Sequence, residues 1–261
     1  MNDGRSVALD TYVSGTQPGQ FRGTNPIGRP FLSTKPFVMT SASQFRLPPP
    51  PALNSAAYAA SLNETRLLGS AASTSRTAGQ TELARFATEN PGLYWTRNLR
   101  TFAMTNGALS DHARLMAMVY VAHADATIAC FDSKYHYQTW RPFSAIALAV
   151  TDGNDATTAD PSWAPVVPTP NHPEYPAAHS CLTSATMEAL RAFHGTSQIT
   201  FVVDSTASGT TRKYSSPTEL VDDMATARIA GGMHFRFSTD AGATLGKNVA
   251  QWMTNRHFQP L

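Results

Sequence analysis

The 261-residue sequence predicts an all-α fold. Apolar residues recur at intervals of three and four between residues 111 and 137, the spacing of one face of a helix. Thr77 with Gln80, and Ser216 with Glu219, have the spacing of capping boxes, which mark the starts of two further helices. The sequence has neither an alternating strand pattern of any length nor an internal repeat.

The domain organisation predicted is an irregular N-terminal arm over residues 1–52 followed by a helical domain over residues 53–261. The arm is rich in Gly, Pro, Thr and Ser and ends on four consecutive prolines, so it should be extended and lie over another part of the protein. The first helices of the domain are expected at 54–68, 77–88, 91–107 and 111–137.

The second half of the chain starts with a long loop. Pro142 should end the long helix, and residues 151–176 contain six prolines, as in a functional loop. Helices are then expected from 177 or 178 to 193, from 216 to 228, and from 240 to 255. Ser208-Gly209 allows a short hairpin between the first two of these, and Gly231-Gly232 should break the chain before the last.

Composition excludes several functional classes. The hydrophobic content of 42% is that of a globular protein, and the net charge of +2 argues against a nucleic acid or a membrane surface as partner. No apolar run approaches the roughly 18–20 residues that span a bilayer. The N-terminus lacks the regions of a signal peptide, and the sequence does not assign a localisation. Cys130 and Cys181 are expected to be free, buried thiols.

Five residues from three distant segments form the candidate site. Lys134 and Arg141 are seven apart, about two helical turns, and should therefore point the same way. Arg228 adds a third cation, and His179 and His234 add two imidazoles. Fixed cations with titratable imidazoles are typical of a binding site for a multiply charged tetrahedral oxyanion.

Local structure supports that grouping. His179 should lie in the first turn of its helix, where free amides and the helix dipole favour an anion. The break at Gly231-Gly232 would let Arg228 and His234 reach one ligand. The other histidines of the helical part are expected to be structural or on the surface: His112, His123, His136, His194 and His257.

These residues form three ordered motifs, Lys-x6-Arg-Pro at 134–142, Pro-Ala-Ala-His at 176–179, and Arg228 followed by His234. Together they resemble the signature of vanadium-dependent haloperoxidases and type 2 phosphatidic acid phosphatases. The flanking sequence resembles the soluble bacterial haloperoxidase-like branch along most of residues 45–257. The resemblance implies a helical bundle of the vanadium haloperoxidase/acid phosphatase type, and the missing apolar run excludes the membrane-embedded lipid phosphatases.

The resemblance also implies roles. His234 would bond to the vanadium of a vanadate cofactor, or attack phosphorus, and His179 would act as general acid–base. Lys134 would polarise bound peroxide. Phosphate is expected to occupy the same site as vanadate. The groups expected to bind the oxyanion are the side chains of Lys134, Arg141 and Arg228 and the backbone at Ala177 and Ala178. His172 takes a position at which bromide-preferring relatives carry histidine.

The sequence departs from the family pattern at three positions. Ala177 replaces a serine, which removes a hydroxyl donor worth about 1.5–3 kcal/mol to a charged group. Ala227 replaces another serine. Ser238 replaces the aspartate that orients the metal-bonded histidine, so a backbone carbonyl, Ser238 or Asp240 is expected to substitute.

Three functions fit these observations. The favoured one is a haloperoxidase that oxidises halide, bromide above all, with hydrogen peroxide. The alternatives are a soluble acid phosphatase with a phosphohistidine at His234, and a non-catalytic oxyanion-binding protein. Vanadate and a phosphoryl transition state require the same binding groups, so the sequence alone leaves the choice open.

The last expectation concerns assembly. Longer relatives resemble two helical bundles, and this chain is expected to lack the earlier half. Val119, Val121, Ile128 and Phe131 lie on more than one face of the long helix, and such surface is seldom left bare. A homo-oligomer is therefore expected, with a separate polypeptide in the role of the missing half as the alternative.

Overall fold

The computed structural model describes residues 10–103 and 107–259, and this part of the chain is mostly helical, as predicted. It forms eight α-helices and one β-hairpin. The helices are α1 (Ala56–Gly69), α2 (Ala78–Phe86), α3 (Pro91–Ala103), α4 (Leu109–Tyr137), α5 (Pro142–Ala147), α6 (Ala178–His194), α7 (Pro217–Ala230) and α8 (Arg236–Arg256). The strands β1 (Phe201–Ser205) and β2 (Thr210–Tyr214) pair antiparallel.

Two predicted caps start helices as expected. At α2, the Thr77 hydroxyl accepts a hydrogen bond from the Gln80 amide, and the Gln80 side chain accepts one from the Thr77 amide. At α7, the Ser216 hydroxyl accepts from the Glu219 amide at 3.3 Å. The start of α4 differs from the prediction, because Asp111 lies inside the helix and its carboxylate accepts from the Ala108 amide.

Helix α6 is the centre of the bundle. Its residues from Ala178 to Leu190 are buried, apart from His179, which is partly exposed. It packs most extensively on α8, and α4 and α7 also lie against it. A helix that is buried along most of its length is a core helix.

The segment from residue 10 to residue 55 contains one 3-10 helix, Arg29–Ser33, and otherwise irregular backbone. It lies along α4, where the Asp125 carboxylate accepts hydrogen bonds from three consecutive backbone amides, 37–39, at 2.7–3.0 Å. Arg46 adds a bidentate ion pair with Asp132. The separation of residues 1–52 as an arm stays a prediction, and residues 1–9 lie outside the described part.

Three sequence predictions about where elements lie differ from the structure, and a fourth falls beside residues that are not described. The optional hairpin near Ser208-Gly209 is real, but its strands were not recognised as such. Helix α8 begins at Arg236 rather than 240. The end predicted for α3, near Gly107, follows residues 104–106, which are not described. Pro142 does not end the long helix: α4 stops at Tyr137 with Gln138 in the left-handed conformation, and Pro142 starts α5.

Helix α4 corrects two further expectations: that no segment is apolar enough to span a bilayer, and that a partner must cover its apolar residues. By length and composition it is apolar enough to cross a membrane, with a mean hydropathy of 1.3, although 61% of that window is buried inside the protein. The core helix of a bundle passes the same test. Val119, Ile128 and Phe131 are buried within this chain, so the reason for expecting a covering partner is wrong for them. The homo-oligomer itself stays a prediction.

The contact between α6 and α8 depends on glycine. A Cβ atom at Gly246 would lie 2.0 Å from the Cys181 carbonyl oxygen and 2.9 Å from the Ala185 nitrogen. We expect Gly246→Ala to lower the free energy of unfolding by about 1–3 kcal/mol, because backbone atoms must separate. Gly79→Ala in α2 is the matched control, since its Cβ meets only Thr77 Oγ1 at 3.9 Å.

The control should be neutral or stabilising by about 0.5–1 kcal/mol, because alanine is the better helix former. Urea unfolding of both variants measures the difference. Equal stability of the two variants would contradict the assigned packing of α6 on α8.

Candidate oxyanion site

Three buried cations come together at one end of the bundle. Lys134 lies in the last turn of α4, Arg141 is the N-cap residue of α5, and Arg228 lies in the last turn of α7. Each residue is at most 1% exposed. Lys134 and Arg141 do not share one helix face, because α4 has already ended between them. The turn at residues 138–141 brings Arg141 back toward the site.

Lys134 and Arg141 are anchored by the same short loop. Lys134 Nζ donates to the carbonyl oxygens of Pro173 and Glu174 at 2.9 and 3.0 Å. Arg141 Nε donates to the His172 carbonyl at 2.7 Å, and one of its terminal nitrogens donates to the Met233 carbonyl at 2.9 Å. These bonds fix the positions of both cations without neutralising their charge.

Arg228 has hydrogen-bond donors to spare. One terminal nitrogen donates to the Ala87 carbonyl at 3.0 Å, while Nε and the other terminal nitrogen are buried without a partner. A buried, unpaired donor on a charged group costs free energy. The unused donors of Arg228 therefore indicate the place of a missing acceptor.

The charges around these cations do not balance. Glu174 is the fully buried carboxylate that acts on them, and burial raises its pKa to about 7, against the attraction of Lys134. Burial, together with nearby Arg141, lowers the pKa of Lys134 to about 8. Burial lowers the pKa of both arginines as well. Three cations face one carboxylate, so an anion bound here would relieve the excess.

His234 lies between α7 and α8 with its proton in a defined position. An arginine N–H can only donate, so Nε2 of His234 must accept from Arg141, 3.1 Å away. The ring proton is therefore on Nδ1, which donates to Glu174 Oε1 at 2.8 Å. Gly232, with φ +75°, turns the chain ahead of His234 as the sequence predicted. The arrangement leaves the Nε2 lone pair directed at the cations.

Glu174 is the residue that sequence reasoning missed. The orienting group was expected to be a backbone carbonyl, Ser238 or Asp240, and that expectation is wrong. The Ser238 hydroxyl instead donates to the Glu174 carbonyl at 3.3 Å, and Asp240 lies exposed on α8. Glu174 also accepts from the Phe235 amide, while its Oε2 is buried without a partner. Its sequence signal was an acidic residue between two prolines, at 173 and 176.

The start of α6 supplies the second imidazole. Ala177 is the N-cap residue and its amide donates to the Ser238 carbonyl, so the first-turn amides begin at Ala178. Nε2 of His179 donates to the Glu89 carbonyl at 3.2 Å, which makes Nδ1 the basic atom of this ring. Burial, with Arg228 nearby, lowers its pKa and keeps it neutral. Ala177 has no side-chain donor to offer a ligand.

His172 connects the cations to a neighbouring cavity. Its Nδ1 accepts from a terminal nitrogen of Arg141 at 2.9 Å, and its ring packs against Phe131 at 5.3 Å. With His179 and Ala178 it lines a cavity of about 800 Å³. His123, expected to be structural or on the surface, lines the same cavity, and burial lowers its pKa to about 4.

Two other sequence expectations can be compared with the structure. Cys130 and Cys181 are free and buried, as predicted, with their sulfurs 2.7 Å apart. Within residues 10–103 and 107–259, no three His, Cys, Asp or Glu residues form a group of the kind that holds a metal cation. The charges gathered here are suited to an anion.

The chain is similar to known proteins. Residues 114–261 match the family model described as the VCPO second helical-bundle domain. Over 95 residues the chain is 33% identical to a vanadium chloroperoxidase from Curvularia inaequalis, an alignment that covers 33% of this chain and 15% of that protein.

Solved structures extend the likeness over the whole chain. The structure of the first bacterial vanadium-dependent iodoperoxidase has a TM-score of 0.81 and 25% identity, and the match covers 98% of this chain and 64% of the other. A holo-type bacterial vanadium-dependent chloroperoxidase, at 18% identity and a TM-score of 0.76, shares the fold. This chain spans 66% of that protein.

The pKa of Lys134 leads to a prediction about binding of a simple oxyanion. In the free protein its pKa is about 8, and a bound anion must raise it. Above pH 8 the free lysine loses its proton, so phosphate binding should take up a proton and affinity should fall as pH rises. Calorimetry in buffers of different ionisation enthalpy measures both quantities between pH 7 and 10.

Lys134→Met should weaken binding at pH 7 and abolish the pH-dependent step, whereas Lys213→Met, at an exposed lysine of β2, should change neither. Unchanged proton uptake in Lys134→Met would show that another group titrates.

Proposed function

The chain belongs to the vanadium haloperoxidase family, and from that premise we propose that it is a vanadate-dependent haloperoxidase acting on halide and hydrogen peroxide. The observation that carries the proposal is the environment of His234. Its Nε2 lone pair faces buried Arg141, its Nδ1–H is held by Glu174, and Arg228 has two unused donors nearby. An oxyanion with an acidic central atom satisfies all three requirements.

The residues that would hold vanadate are those predicted from sequence, except Ala177, whose amide already donates to the Ser238 carbonyl. His234 Nε2 would be the single protein ligand of vanadium, and the side chains of Lys134, Arg141 and Arg228 would neutralise its oxygens. When bound, vanadate supplies Lewis-acid activation of peroxide without a change of metal oxidation state. First-turn amides of α6, from Ala178 onward, add donors that need no side chain.

Proton transfer falls to His179. Its neutral ring is buried, with Nδ1 as the basic atom, so it is suited to accept a proton from incoming peroxide and return it to a leaving oxygen. Lys134 keeps a positive charge at neutral pH, because its pKa of about 8 still lies above 7. That charge would withdraw electrons from an oxygen beside it. His172, bonded to Arg141, would influence which halide is oxidised.

The second candidate is an acid phosphatase. The unused donors of Arg228 and the oriented lone pair of His234 serve an attack on phosphorus equally well, with His179 as acid for the leaving group. Membership of the vanadium haloperoxidase family favours the haloperoxidase over this candidate.

A paired assay on one preparation separates the candidates. With vanadate and peroxide, we expect oxidation of bromide, with chloride oxidised poorly, and no hydrolysis of p-nitrophenyl phosphate in vanadate-free buffer. His234→Ala should abolish oxidation and lower vanadate affinity at least 100-fold, because the only bond from the protein to vanadium is lost. Ester hydrolysis without halide oxidation would establish the phosphatase instead, and an unchanged His234→Ala would refute the site.

Glu174 provides a test of how His234 is oriented. Glu174→Gln keeps an acceptor for Nδ1–H but removes the charge that makes Nε2 basic. We expect vanadate affinity to fall 10–100-fold, the usual effect of losing such a partner. Phosphate affinity should fall less, because resting phosphate is held by the cations alone.

Ser238→Asp in the Glu174→Gln background should recover part of the loss, since the carboxylate returns at the position used by the family. Asp240→Asn is the matched control, an exposed carboxylate on the same helix, and should have no effect. Equal losses for vanadate and phosphate would show that Glu174 only supports the fold.

A further inference from the structure

The two cysteines of the sequence meet in the core, between the helices that carry Lys134 and His179. Cys130 lies in α4 and Cys181 in α6, 51 positions apart, and neither is exposed. Their sulfurs lie 2.7 Å apart, with the Cys181 thiol donating to Cys130. Cys130 in turn donates to the Pro176 carbonyl at 3.9 Å. The sequence has two cysteines in all, so a disulfide within the chain must join these two.

Little movement separates this contact from a covalent bond. A disulfide needs an S–S distance of about 2.05 Å, so the sulfurs would have to approach by about 0.7 Å. Helices α4 and α6 are already packed together, and α8 also packs on α6, with Gly246 against the Cys181 carbonyl. Sulfurs held in contact by packed helices should react with each other rather than with a second molecule.

The two sulfurs differ in acidity. Burial opposes ionisation, yet the S–H donated by Cys181 and the charge of Lys134, one helical turn away, lower the pKa of the Cys130 thiol. Burial and the neighbouring Cys130 raise the pKa of Cys181 well above its usual value. Cys130 is therefore suited to be the attacking thiolate, and Cys181 to be the thiol that resolves the product.

One layer of side chains separates the pair from open space. Ile128 and Phe131 from α4, and Ala178 and Leu182 from α6, border the cavity of about 800 Å³ beside the oxyanion site. Each of them is at most three positions from one of the cysteines. Hydrogen peroxide is little larger than water, so small rearrangements of these side chains admit it. A bulkier thiol reagent needs a larger opening of the fold.

We propose that Cys130 and Cys181 form a peroxide-reactive dithiol, which hydrogen peroxide converts into a disulfide that joins α4 to α6 and stabilises the chain. The Cys130 thiolate forms a bond to one peroxide oxygen while the O–O bond breaks. The leaving hydroxide takes up the proton that Cys130 released and becomes water. The Cys181 sulfur then attacks the sulfenic acid: the S–S bond forms, the S–O bond breaks, and the Cys181 proton leaves with that oxygen as a second water.

The disulfide ends oxidation at a reversible stage. A sulfenic acid without a resolving thiol is oxidised further to sulfinic and sulfonic acids, which thiols do not reduce. Cys130 is one turn before Lys134, and Cys181 is two residues after His179, so such an acid would bring a buried charge beside the oxyanion site. A neutral disulfide avoids that charge. Peroxide alone is the oxidant, so the proposal does not depend on halide oxidation.

Peptide mapping tests for the bond. The chain is reduced with dithiothreitol, desalted and treated with hydrogen peroxide without vanadate or halide, then unfolded and alkylated. We expect one linked pair of peptides containing both cysteines, no alkylated thiol, and recovery of both thiols with dithiothreitol. Two alkylated thiols, sulfinic acid at either cysteine, or a link between two chains would each overturn the proposal.

Single variants test the roles of the two sulfurs. Cys181→Ser removes the resolving thiol, so Cys130 should go on to sulfinic acid. Cys130→Ser removes the attacking thiolate, so Cys181 should stay alkylatable at least tenfold longer than Cys130 does in Cys181→Ser. Equal lifetimes of the two remaining thiols would contradict the assigned roles.

The rate shows whether the folded pair reacts. Disulfide formation should accelerate in proportion to peroxide concentration, whereas N-ethylmaleimide should label the folded, reduced chain at least tenfold more slowly than the unfolded chain. A disulfide rate that does not depend on peroxide concentration and equals the maleimide rate would mean that only the opened chain is oxidised. That result would overturn the proposal.

Thermal unfolding tests the effect of the bond. A crosslink between residues 51 positions apart removes conformational entropy from the unfolded chain. We expect the peroxide-treated chain to unfold about 5–15 °C above the reduced chain. The double variant Cys130→Ser, Cys181→Ser is the matched control, since peroxide can oxidise its other side chains but form no disulfide. An equal rise in the control, or none in the native chain, would overturn the proposal.

Discussion

The tripeptide 172–174 holds the candidate site together. Its three carbonyl oxygens accept hydrogen bonds from Arg141 and Lys134, and its last side chain holds the ring of His234. Its last amide also donates to the Thr139 carbonyl at 2.9 Å, in the turn that leads to Arg141. Two cations from one part of the chain and a histidine from another are therefore positioned by a single extended segment.

This arrangement explains how three buried cations are tolerated close together. Backbone carbonyls solvate Lys134 and Arg141 in place of water, and they do so without cancelling the charge. Glu174 supplies one negative charge, which is drawn toward Nδ1 of His234 and away from the unused donors of Arg228. The remaining positive charge is available to a ligand. A further acidic side chain beside the unused donors of Arg228 would have neutralised that charge.

Much of the fold, and most of the site, was predictable from sequence. Caps at Thr77 and Ser216 depend on contacts within four residues, and the three motifs place their cations and imidazoles at fixed spacings. Glu174 was not predictable, because it lies 60 positions before His234 in the sequence and meets it only in the folded chain. The start of α8 and the position of His123 in the cavity wall were missed for the same reason. Each depends on which other elements pack there.

Two of the three polar groups that the family pattern has and this chain lacks have different consequences. The carboxylate absent at position 238 returns through Glu174, from another segment, with the same bond to the histidine. The hydroxyl absent at Ala177 does not return in this way. Ser180, in the same turn of α6, has its Cβ within 2.9 Å of a Cβ placed on Gly242, so it faces α8. Orientation of His234 is thus retained, while stabilisation of the anion is left to cations and amides.

His172 marks the border between two chemically distinct spaces. On one side its ring nitrogen accepts from Arg141, and on the other its ring meets Phe131 in an aromatic wall. Ions are favoured on the first side by unbalanced positive charge, and uncharged rings on the second by a lining without charge. His172 therefore separates a site with excess positive charge from a cavity whose described lining residues include no Asp, Glu, Lys or Arg.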